Sequence, residues 1–135
     1  MQTYIFPGEY ESLEKIAAVV REAAQNIGLD ECEIYKIETS VDEACSNIIE
    51  HAYGGENKGN IELTCDSQPD KLTIVLKDYG RPFKPEKVPK PDLSKTLSKR
   101  QDHGLGLFIM SKWMDKITFE ALDGVNTITL VKLKE

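Results

Sequence analysis

The apolar period of this chain changes from helical to alternating within six residues. From Leu13 to Ala52 the apolar residues recur at three- and four-residue spacing. From Asn60 to Asp78 they alternate, every second one apolar. The change falls at "GGENKG" (54–59), a run that neither a helix nor a strand accommodates well. A helix repeats its faces every 3.6 residues and a strand every two, so neither pattern can adopt the other's backbone without burying polar groups. The chain must therefore combine helices and strands as separate runs.

The runs can be placed. Gln2 to Phe6 predicts a short strand, ended by Pro7 and Gly8. Ser12 is placed to cap a helix from Leu13 to Asn26 that buries Ile16, Ala17, Val20 and Ala24 and closes at Gly28. Asp30 is placed to cap a second helix from Cys32 to Ala52, with Ile37, Val41, Ala44 and Ile48 as its apolar stripe. Two alternating strands follow, one facing inward with Ile61, Leu63 and Cys65, the next with Leu72, Ile74 and Leu76. "SQPD" makes the turn between them. After Gly80 the periodicity stops until Gly104, across a stretch that holds four of the six prolines. A non-periodic segment of that length in a compact domain is functional or disordered. A third helix then leads to two strands, "KITFEAL" and "NTITLVKLK", joined at "DGV". Adjacent strands favour an antiparallel or mixed sheet with helices over one face. The fold class is α+β: a two-layer α/β sandwich with a mixed, mostly antiparallel sheet. The 135 residues suit a single domain, residues 1–135.

Composition excludes some functions. A formal net charge of −6 argues against a nucleic-acid surface. Cys32, Cys45 and Cys65 have neither the spacing of a zinc site nor an even count; two of them sit among apolar neighbours, and buried free thiols are expected. The first ten residues lack a basic, then apolar, leader, and no run is long enough to span a membrane. A cytoplasmic location is expected.

Three constellations carry chemistry, each with two readings. On the second helix, successive residues step about 100° around the axis, so Glu43 and Asn47 share a face with Glu50 near the same line. They form either a solvated polar face or a site where an amide oxygen ligands a hard cation and a carboxylate accepts a proton. His51 reads as a packed or capping residue. Asp78 continues the inward alternation of Leu72, Ile74 and Leu76, where a carboxylate is costly unless partnered. It either accepts from an exocyclic amine, with Gly80 letting a flat ring approach, or has already left the sheet for a turn. Gly104 and Gly106 open the third helix. They form either a tight turn or an anion site of free amides at a helix mouth.

Together, "EACSNIIEHAY", "DYGRPF" and "HGLGLFIMSKWMD" resemble the N box and the two glycine boxes of the GHKL ATPase family, across nearly the whole chain. The nearest branch is similar to the anti-sigma regulatory factors, small serine-protein kinases. The resemblance implies a Bergerat, or histidine-kinase-like ATPase, fold holding ATP and Mg2+. It implies Asn47 as the metal ligand, Glu43 as general base, Asp78 on the adenine amino group and Gly80 in the base pocket. Gly104, Leu105 and Gly106 would offer amides to the phosphates, and residues 81–103 would form the lid. A late-strand threonine often supports the adenine site, and Thr127 and Thr129 are both candidates. An arginine before the second glycine box contacts the terminal phosphate in some family kinases. Here Asp102 and His103 stand immediately before the box, with Lys99 and Arg100 just upstream, so Arg100 is the nucleotide-binding candidate.

The function implied is a Mg2+-dependent serine/threonine kinase that binds a sigma factor and phosphorylates a STAS-domain antagonist, with no nucleic acid or membrane bound. A homodimer fits the same branch. Two other readings stay open: an ATP-binding module that switches protein contacts without catalysis, and a stand-alone histidine-kinase catalytic domain.

Overall fold

The computed structural model describes residues 2–82 and 110–134. Strand β1 (Gln2–Pro7) leads to helices α1 (Ser12–Asn26) and α2 (Glu31–Asn47), then to strands β2 (Asn60–Gln68) and β3 (Lys71–Asp78). Residues 110–113 are helical, and strands β4 (Lys116–Leu122) and β5 (Val125–Leu133) follow. The strands form one sheet in the order β1-β2-β3-β5-β4.

All four strand pairings are antiparallel, so the sheet is not mixed. The reason is where β5 lies. β3 and β4 run in the same direction and would make a parallel pair as neighbours, but β5 inserts between them. The two-residue turn joining β4 to β5 makes that insertion feasible. Asp123 (φ 53°) and Gly124 (φ 80°) both take left-handed backbone, the geometry of a tight hairpin whose twist matches its strands.

One face of the sheet is buried and the other is not. Ile61 and Leu63, Leu72, Ile74 and Leu76, and Ile128 and Leu130 meet Ile16, Val20 and Ala24 of α1 and Ile34, Ile37, Val41, Ala44 and Ile48 in a single core. Each strand supplies every second residue, as the alternation requires. Lys132 also points to this side. Its Nζ donates to the Trp113 carbonyl (2.9 Å) and pairs with Glu33 (2.8 Å), which ties β5 to the start of α2.

Three local expectations are corrected. Ser12 is the first helical residue, not the cap. It is buried, and its hydroxyl donates to the Pro7 carbonyl at 2.7 Å, while Glu11 occupies the cap position without a side-chain bond. Ala17 is only half-buried. Cys32 is exposed and Cys65 half-buried, so only Cys45 is a fully buried thiol. Burial raises both of the latter, Cys65 to about 11. Asp30 does cap α2, its carboxylate accepting from the Glu33 amide at 2.8 Å.

The second helix does not stay α-helical to Ala52. Its last five residues, Ile48–Ala52, form a π turn in which the Tyr53 amide donates to the Ile48 carbonyl. Turns of this kind are rare and cluster at functional sites. Gly54 (φ 72°) then ends the run in left-handed backbone.

Candidate functional site

The end of β3 is fastened to the end of the second helix. The Arg81 amide donates to the Ala52 carbonyl (2.8 Å), and its guanidinium donates to the His51 carbonyl (3.1 Å). Gly80 lies so close that a Cβ there would overlap the Ala52 carbonyl. This contact, between two stretches of main chain, explains the glycine. Gly80→Ala is expected to break the strap and destabilise the fold by about 1–3 kcal/mol, because a carbonyl cannot move aside as a flexible side chain can. Urea unfolding measures this, and an unchanged midpoint would show that the two backbones do not meet so closely.

Asp78 remains in the sheet, cross-strand from Asn126, and is almost fully buried. Both of its bonds among the described residues fall on Oδ1: the Asn126 amide donates at 2.8 Å and the Gly80 N–H at 2.9 Å. Asp78 has therefore not left the sheet, although its carboxylate also organises the turn at Gly80. Burial pushes its carboxyl above the ordinary range, and the Asn126 and Gly80 donors pull it back.

Asn126 was not foreseen. Its amide also donates to the carbonyls of Gly80 (3.2 Å) and Arg81 (2.9 Å), so one buried side chain holds the whole junction. The sequence carries a signal for it: Asn126 is the polar member of the inward series Asn126, Ile128, Leu130, as Asp78 is of its own. Thr127 and Thr129 alternate with that series and lie on the opposite face of the sheet, so neither reaches Asp78.

Asn47 lies five residues before Ala52, about 7–8 Å along the axis. It is buried, and its Nδ2 has no hydrogen-bond partner among the described residues. That removes the solvated-face reading for Asn47. A buried carboxamide with an unpaired end is costly until something completes it, which suits a polar ligand laid against this helix. Glu43, one turn earlier, is half-buried. Glu50 is turned away from this pair, exposed, and accepts from the Tyr10 hydroxyl at 2.7 Å. His51 is half-buried and lies 3.9 Å from Glu50, but its contribution to the junction is its backbone carbonyl.

Among the described residues no three His, Cys, Asp or Glu side chains gather to cage a metal. Mg2+ held by Asn47 would complete its shell with phosphate and water oxygens, as this ion ordinarily does. Arg100, Gly104, Leu105 and Gly106, with Asp102, His103 and all of the lid beyond Pro82, lie outside the described residues.

A helix pair over an antiparallel sheet, with a buried aspartate at one strand end and a polar helix face beside it, defines the class. The profile of the histidine kinase-like ATPase domain matches residues 6–132, and the chain belongs to that family. Within it, the chain is similar to serine-protein kinase RsbW of Bacillus velezensis, at 28% identity over 130 residues, 93% of this chain and 81% of that protein. Two solved structures share the fold. The RsbU and RsbW domains of a Mycobacterium tuberculosis protein align with a TM-score of 0.63 and 16% identity, covering all of this chain and 33% of that longer one. The catalytic domain of histidine kinase ThkA aligns with a TM-score of 0.57 and 16% identity over 99% of each chain.

Proposed function

We propose that this protein is an ATP- and Mg2+-dependent serine/threonine kinase that acts as an anti-sigma regulatory factor. It binds a sigma factor and phosphorylates a serine of a STAS-domain antagonist, in the cytoplasm. The activity follows from the serine-protein kinases the chain is similar to. The observation that carries the nucleotide site is the buried Asp78–Asn126 pair, strapped to the end of the helix that bears Glu43 and Asn47. Among the described residues no helix is long and apolar enough to cross a membrane.

Each residue has a role. Oδ2 of Asp78 accepts from the adenine amino group while Oδ1 stays with its internal donors. Asn47 would hold Mg2+ through its amide oxygen, and the ion would supply charge neutralisation at the phosphates. Gly80 lines the base pocket, the amides of Gly104, Leu105 and Gly106 receive the phosphates, and Arg100 reaches the terminal one. Glu43 takes the serine hydroxyl proton as the oxygen attacks the terminal phosphorus and the bond to the ADP oxygen breaks. Phosphoryl transfer asks mainly for such positioning and charge neutralisation. A homodimer is compatible with this role.

Labelled ATP with a STAS-domain antagonist tests the reading. Mg2+-dependent label on a serine, stable to acid, is the expected outcome. Acid-labile label would indicate phosphohistidine instead, and bound but unspent ATP would indicate a non-catalytic module.

A further inference from the structure

The β2–β3 ladder ends one step early, and a side chain occupies the gap. Glu62 pairs with Lys77, so Asn60 stands opposite Tyr79 two residues further on. These two do not pair. The Tyr53 hydroxyl sits between them, accepting from the Tyr79 N–H at 3.0 Å and donating to the Asn60 carbonyl at 2.6 Å. It replaces one ladder bond with two and holds the strands apart where β3 delivers Asp78.

Other features serve this placement. Tyr53 is the residue that closes the π turn, through its own amide. An α-helical continuation would rotate it by a different angle, since a π turn holds one more residue per hydrogen-bonded ring. Gly59 leaves room for its ring: a Cβ there would overlap the Tyr53 side chain. Gly59 in turn accepts from the Gly8 amide at 2.8 Å, so the loop beneath the ring is pinned. On the far side of β3, Asn126 holds Asp78 and Gly80 toward β5.

We propose that Tyr53 is a positioning residue for nucleotide recognition. Its hydroxyl, wedged between β2 and β3, moves the β3 end toward β5 and fixes the Asp78 carboxylate for the base. The inference rests on the nucleotide site proposed above. It touches no reacting atom, so it should govern affinity and base choice but not the rate of transfer.

Tyr53→Phe keeps the ring and removes only the wedge. The expected result is a KM for ATP raised roughly tenfold, as for the loss of a two-bond hydrogen-bond bridge, with kcat at saturating ATP within about twofold. The preference for ATP over GTP should fall by a similar factor, and the Tyr79 amide should exchange faster with solvent. Gly59→Ala, which displaces the ring, should reproduce the pattern, and Tyr10→Phe, which loses another tyrosine hydroxyl bond at the same helix end, should not. A purely structural role would lower kcat by reducing the active fraction and leave KM and base preference unchanged; that result overturns the inference. So does faster Tyr79 exchange with unaltered nucleotide parameters. If the parent protein binds no ATP with Mg2+, the nucleotide site itself is wrong and the inference falls with it. Binding by the parent with a Tyr53→Phe variant indistinguishable from it removes this inference alone.

Discussion

Glu43→Gln is expected to leave ATP affinity within a few-fold of the parent and to lower phosphoryl transfer by roughly 10²–10⁴-fold, the usual contribution of a general base. Glutamine has nearly the same volume and can still accept a hydrogen bond, so the half-buried position on α2 is preserved. What it lacks is a basic oxygen to receive the serine proton. Because the replacement is nearly isosteric, it should not disturb Asn47, the neighbouring side chain one turn on and the proposed metal ligand. Calorimetry with Mg-ATP and transfer of labelled phosphate to the antagonist separate the two effects. Loss of nucleotide binding in a folded variant would assign Glu43 to the binding site instead, and transfer at the parental rate would remove it from the mechanism.

Asp78→Asn is expected to weaken ATP binding by roughly 10–100-fold, the cost of a lost charge-assisted hydrogen bond, without destabilising the protein. The asymmetry follows from which oxygen is in use. Oδ1 already accepts from Asn126 and Gly80, and an asparagine oxygen can keep both bonds. The other end becomes an NH2 group and faces the adenine amino group donor to donor. Stability should move the opposite way, with a definite pH dependence. Burial raises the Asp78 carboxyl above its ordinary value. In the window between the ordinary and the raised value, the folded state keeps a proton that the unfolded chain has released. Stability is therefore lost as pH rises through that window. The asparagine variant has no such titration. Its midpoint in urea should match the parent below the ordinary carboxylate range and exceed it at neutral pH. A variant less stable than the parent at pH 7, or one that binds ATP equally well, would contradict this account.

The extent to which this protein was legible varies with the range of the interaction. Alternation placed β2, β3, β4 and β5 within two residues at each end, and it put Asp78 on the buried face. Helical spacing found the stripe of Ile37, Val41, Ala44 and Ile48, and the Asp30 cap followed from local chemistry. Ser12 was misread because a serine before an apolar run satisfies the capping pattern whether or not its hydroxyl turns to the helix; here it turns to Pro7. The π turn was invisible, since Ile48, Ile49 and Ala52 suit an α-helix equally well and what distinguishes the two is the Tyr53 amide bonding the Ile48 carbonyl. The choice between Thr127 and Thr129 was open because register across β3 and β5 decides which residue faces Asp78, and it selects Asn126.

By itself, the order of residues determined which segments are helices and strands, which side of each is apolar, and that a carboxylate and a carboxamide stand at inward or helix-face positions. Those are properties of backbone period and side-chain polarity, and they act over a few residues. Only the tertiary structure decided that β5 inserts beside β3, that Asn126 meets Asp78, and that Tyr53 separates β2 from β3. Each of these joins groups distant in sequence. Their distances depend on strand order and register, which no local pattern encodes.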